Sequence, residues 1–109
     1  MIRIKVYRDH NDNVTKFSVE GHANAEDSGR DIVCASISIL AQTTVLALYE
    51  LLNIDVIYEL EDGWLYCQLP ELHDDTRMKA NIIIDTMVIG IKGTMEMYSD
   101  FIELLDKEV

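Results

Sequence analysis

One long stretch sets the terms for this chain. From Ile32 to Leu52, the residues Ile37, Leu40, Ala41, Thr44, Val45, Leu48 and Leu52 recur at helical spacing, and Asp31 just before it is a residue type that caps helix starts. The expected helix is apolar over much of its circumference, so it should be largely buried against the rest of the chain. With 109 residues, there is room for one domain and one core. A domain of that size buries roughly two-thirds of its unfolded surface without disulfides or metals.

The flanking segments read as strands. Residues 2–8 and 14–20 each alternate, with Ile2, Ile4 and Val6 on one face of the first and Thr15, Phe17 and Val19 on one face of the second. The turn-tolerant run Asp9-His10-Asn11-Asp12-Asn13 between them makes a β-hairpin. After the helix, Ile54–Leu60 and Trp64–Leu69 alternate around Glu61-Asp62-Gly63, another hairpin signal, and Pro70 ends the second strand. Met78, Ile82, Ile83, Met87, Ile91 and Met95 give a second helical stripe over 74–98, with Gly90 and Gly93 marking either a break or a close packing contact. Phe101 to Leu105 reads as a last strand. The order ββαββα(β) predicts a single α+β domain, two helices on one mostly antiparallel sheet.

Charge bounds the partners. The net charge is −11, and no Lys or Arg occurs between Asp31 and Thr76. That disfavours direct nucleic-acid binding, which draws on Lys and Arg at phosphates. It suits a basic peptide or protein, although acid can also serve solubility alone. The longest uninterrupted apolar runs are too short for a bilayer, no signal peptide is expected at Met1, and a cytoplasmic protein without membrane contact is expected. Cys34 and Cys67 do not make a disulfide framework, and with no CxxC or His-x3-His pair neither a metal nor another cofactor is expected.

The chemistry concentrates in Gly21-His22-Ala23 and Gly29-Arg30-Asp31-Ile32-Val33-Cys34-Ala35-Ser36-Ile37-Ser38. With Asp31 as N-cap, Cys34 falls in the first helical turn, among backbone N–H groups that lack intrahelical partners. The helix dipole there favours a thiolate, the reactive form, and the free amides suit an oxyanion. His22, at the end of the second strand, is a candidate proton-transfer partner, brought back by a loop over 21–30 that could act as a gate. Each residue also has a plainer reading. Cysteines in apolar helices are usually buried and inert, as Cys67 between Leu65 and Leu69 should be, and a histidine beside a loop is usually just exposed. Asp31 can be only a cap, and Ser38 can bond a backbone carbonyl one turn back.

Taken together, Gly21-His22-Ala23 and Gly29-x-Asp31-Ile32-Val33-Cys34-Ala35-x-x-Ser38 resemble the two-part signature of the ribosomal-processing cysteine protease family, and the length and element order are similar too. The resemblance implies a Cys-His dyad, with the catalytic histidine at His22, the nucleophile at Cys34 and supporting positions at Asp31 and Ser38. It implies an endopeptidase that removes a short N-terminal extension from a large-subunit ribosomal protein and acts as a homodimer with a mobile loop between histidine and cysteine. Ribosomal proteins are basic, in keeping with the acidic charge. The competing expectation is a non-catalytic, acidic ribosome-associated or assembly factor; a different thiol-dependent reaction is a third.

Overall fold

The computed structural model describes residues 1–21 and 28–108, with the side chains of 28–31 and 108 outside the description. The order is β1 (Ile2–Arg8), β2 (Val14–Glu20), α1 (Ser28–Leu52), β3 (Ile57–Glu61), β4 (Trp64–Gln68), α2 (Asp74–Tyr98), a short 3-10 turn (Ser99–Phe101) and β5 (Ile102–Glu108). The strands form one sheet in the order β3-β4-β2-β1-β5. Three pairings are antiparallel, and only β5 lies parallel to β1. The expected α+β architecture, including the final strand, is what the chain adopts.

Alternation decides which side of the sheet meets the helices. Ile2, Ile4 and Val6 of β1, Phe17 of β2, Leu65 and Cys67 of β4 and Ile102 of β5 all turn inward and are buried. From above, α1 contributes Val33, Ile37, Ala41, Val45 and Leu48, and α2 contributes Ala80, Ile84, Met87, Val88 and Ile91. Because strand side chains alternate, a shift of one residue in register would expose the entire inward set.

Four sequence expectations need correction. First, α1 begins at Ser28, not near Ile32, so Asp31 lies inside the helix and is not its N-cap. Serine itself favours helix starts, and a first turn of Ser-Gly-Arg-Asp has no apolar residue to leave a periodic trace. Second, α1 is buried on one side only: Ile39, Leu46 and Tyr49 are each more than half exposed. The sheet and α2 together cover only part of its circumference. Third, β3 starts at Ile57, three residues later than expected. Asn53, in the left-handed conformation at φ 53°, ends α1. Hydrogen bonds from Ile54 N–H to Leu48 O and from Val56 N–H to Ile54 O then turn the chain before a ladder can form. Fourth, residues 32–52 are long and apolar enough by composition to cross a bilayer, contrary to the reading from uninterrupted runs. Their inner face is packed on the sheet, as in a core helix.

Helix α2 runs unbroken through both glycines. At Gly90 a Cβ would come within 3.1 Å of Leu40 Cδ2 on α1, so this glycine lets the two helices approach, whereas the space around Gly93 is open.

Candidate active site

The sheet has two ends of different character. At one end, β1 begins, β2 stops at Gly21 and the β3–β4 turn closes. Gly21 has φ +111°, and a Cβ on it would collide with the Met1 carbonyl, so only glycine fits there. Its N–H donates to Gly63 O at 3.0 Å, which ties the end of β2 to the β3–β4 turn.

The early part of α1 passes over this end and brings Cys34 down to it. Cys34 is a free thiol, half-buried, and it lines a cleft of about 70 Å³ with Ser38, Val19, Gly21, Leu60 and Trp64. Ser38 follows Cys34 by one helical turn, so both side chains share a face. Ser38 Oγ accepts a hydrogen bond from Gln42 Nε2 at 2.7 Å. This acceptor role differs from the expected bond to a backbone carbonyl, and a hydroxyl that accepts still has its own proton to donate. Larger hollows exist beside Arg8 and between α1 and α2. Neither contains a cysteine, and it is the small cleft that offers a nucleophile beside apolar walls.

The two cysteines have opposite surroundings. Cys67 is fully buried between Phe17 and Tyr58 on neighbouring strands, and burial pushes its thiol up to about 12. The expectation that Cys67 belongs to the core holds. Cys34 keeps a solvent-facing side.

Because α1 starts six residues before Cys34, Cys34 lies nearly two turns into the helix. Its N–H is no longer one of the free first-turn donors, and a helix dipole acts mainly within that first turn. The argument for thiolate and oxyanion stabilisation from the helix terminus therefore loses its geometric basis. Of the other expected site residues, His22 and most of the 21–30 loop lie outside the described residues. Asp31 is in the first part of α1, with its side chain also outside the description.

What the sequence did not reveal is the role of the β3–β4 hairpin as a wall of the cleft. Asp62-Gly63 signalled a turn, but nothing in the local pattern put Leu60, Glu61 and Trp64 beside Cys34. Trp64 Nε1 donates to Glu59 Oε2 at 3.2 Å, and its ring stacks on Tyr66 with centroids 6.0 Å apart.

Comparison with known proteins gives matches over nearly the whole chain. Residues 1–103 match the family described as cysteine protease Prp. The ribosomal processing cysteine protease Prp of Bacillus subtilis is 28% identical over 103 residues, covering 92% of each chain. The crystal structure of the Staphylococcus aureus ribosomal processing protease Prp with a substrate peptide superposes with a TM-score of 0.85 at 26% identity. That match covers 98% of this chain and 100% of the other. A Streptococcus mutans protein shares the fold with a TM-score of 0.87 at 24% identity, over 100% of this chain and 96% of its own.

Proposed function

The chain belongs to the cysteine protease Prp family, and from that premise we propose that it is an endopeptidase that removes the N-terminal extension of a large-subunit ribosomal protein. The observation that carries the proposal is the half-buried Cys34 thiol in a cleft walled by the end of the sheet, with the other cysteine fully enclosed.

In the proposed reaction His22 accepts the Cys34 proton as sulfur attacks the scissile carbonyl. The tetrahedral oxyanion collapses with cleavage of the C–N bond, and His22 gives the proton to the departing amine. Water, deprotonated by His22, then attacks the thioester; the new carboxyl product leaves and the thiol is restored. Ser38, whose hydroxyl shares the cleft and retains a donor proton, supports the developing charge, and Asp31 is assigned the supporting role that the family resemblance implies. The amides at the start of α1 are too far along the chain from Cys34 to be assigned as the oxyanion donors. No metal or cofactor has a part in these steps.

The substrate is basic and the chain carries −11, which favours encounter. A synthetic peptide spanning the processing site should yield two products by mass spectrometry, with cleavage lost in Cys34→Ala and cut about 10² to 10⁴-fold in His22→Ala. An intact peptide with wild-type protein would overturn the proposal.

The working form is proposed to be a homodimer in the cytoplasm, where a reducing environment preserves a catalytic thiol. The exposed outer face of the helix layer, with Ile39 and Leu46 of α1 and Ile82 and Ile89 of α2, favours a second copy covering it. Ile39→Glu should then shift sedimentation to the monomer.

A further inference from the structure

We infer that the substrate binds as an added strand on the outer edge of β3, which carries its scissile bond to Cys34. The inference rests on the protease reading and specifies how the peptide is held.

The hydrogen-bond pattern shows which groups are available. β3 is the outermost strand at its end of the sheet, and among the described residues no strand pairs its outer side. Its register with β4 is Glu61↔Trp64, Leu60↔Leu65, Glu59↔Tyr66, Tyr58↔Cys67 and Ile57↔Gln68. In an antiparallel pair, successive residues alternate between exchanging backbone bonds and turning those groups outward. The phase is fixed by β4's other neighbour: Gly21 N–H bonds Gly63 O and Leu69 N–H bonds Thr15 O, so odd-numbered residues of β4 face β2. Trp64, Tyr66 and Gln68 therefore bond Glu61, Glu59 and Ile57. Tyr58 and Leu60 are left with N–H and C=O directed away from the sheet, the spacing an incoming strand requires.

The side chains point the same way. Tyr58 and Leu60 lie opposite Cys67 and Leu65, which face the helices, so their side chains stand on the helix side of the sheet. They are 38% and 52% exposed. Leu60 and Glu61 also line the cleft of Cys34, so a peptide that leaves the β3 edge at its Glu61 end enters the cleft by crossing β3 and β4, roughly 10 Å at the usual strand spacing. The flanking charge comes from Asp55, Glu59 and Glu61, with no Lys or Arg between Asp31 and Thr76, and this selects a basic peptide. Long exposed edges are usually blunted by lysine, proline or a bulge. The edge of β3 has none of these three; its charge is Glu59 and Glu61, which repel another acidic edge and accept a basic peptide.

The test uses full-length Cys34→Ala, which holds substrate without cutting it, and a synthetic peptide spanning the processing site. Hydrogen exchange should slow at the Tyr58 and Leu60 amides when peptide is bound. In the otherwise wild-type enzyme, Tyr58→Pro removes one outward N–H and no ladder bond, a change that edge strands accept. It should raise KM about 10-fold over Tyr58→Ala with kcat little changed. If the peptide is cleaved and bound normally while both amides exchange as in the free protein, the inference fails and the protease reading stands. If wild-type enzyme neither binds nor cleaves the peptide, both fail. Protection of these amides that depends on protein concentration, with no peptide present, would assign the edge to a second copy and overturn the inference. Should Tyr58→Pro unfold, the exchange result decides.

Discussion

The two ends of the sheet are built on different principles. At the end away from Cys34, polar groups lash the elements together. The Arg8 guanidinium bonds Asp106 on β5 at 2.7 and 3.0 Å and Asp85 on α2 at 2.8 Å, and these partners hold its charge above even the usual arginine range. Beside it Asp9 accepts from the Asn11 and Asn13 amides and so closes the hairpin, which keeps its carboxyl below the ordinary range. Arg77 and Asn81 on α2 reach down to Val14 and Asn13. Roughly 20 Å away along the strands, the cleft end has a different character. Among the described residues it is joined by the Gly21–Gly63 bond, the Trp64–Glu59 bond and the more exposed ion pairs Arg3–Glu103 and Lys5–Glu20, beside apolar walls, an exposed edge strand and a thiol. Both ends carry polar ties, but the most buried of the described ion-paired cations, Arg8, is set where no chemistry is expected, while the ties at the cleft end are more solvated. The cleft end is left with accessible groups, as elements that must admit a ligand come from the less stable parts of a structure.

The sharpest way to break this contrast is to remove the thiol. Cys34→Ala should abolish peptide cleavage, because no other described group in the cleft can form the thioester, while the midpoint of urea unfolding stays close to wild type. A large stability loss would mean that the cleft end also holds the fold together. The reciprocal change is Arg8→Met, which leaves Asp85 and Asp106 without their partner. It should destabilise the fold by about 2 kcal/mol, below the full value of a broken buried pair because both carboxylates are partly solvated. Cleavage at low temperature should stay within a few fold.

The two thiols offer a smaller test. Mild iodoacetamide treatment of native protein should label Cys34 and spare Cys67, and both should react in urea. Burial raises Cys67 from an ordinary 9.0 to about 12, so the folded state retains a proton that the unfolded chain loses. Its contribution is complete below pH about 9 and declines as pH climbs from there to about 12. The cost is about 1 kcal/mol one pH unit above the ordinary thiol value. Urea titrations across that window should show a shallower decline in Cys67→Ala than in wild type. The smallest effects belong to the helix pair. Gly93→Ala, with open space around it, should stabilise by about 0.5–1 kcal/mol. Gly90→Ala should gain less or lose, because Leu40 must give way.

Much of the fold could be read because its signals are local. The hairpins at Asp9–Asn13 and Asp62-Gly63 are written in turn residues, the inward faces of β1 and β4 in alternation, and α2 in an apolar stripe strong enough to carry two glycines. The candidate site stands out in the sequence as a pair of motif halves around His22 and Cys34, of which the described residues include the second and, of the first, Gly21 alone. Its walls were not legible there, since Leu60 and Trp64 approach Cys34 only through strand pairings between residues distant in sequence.

The kinds and order of the elements, the inward residues, the buried fate of Cys67 and the family signature are all written in the chain, because each depends on periodicity or spacing within a short window. Tertiary structure alone decided that α1 begins at Ser28, that its outer face is exposed and that β3 ends the sheet beside Cys34. Helix ends are settled by where backbone groups find partners, and burial and edges by which surfaces meet across the fold. Those are properties of the assembled chain that no local pattern encodes.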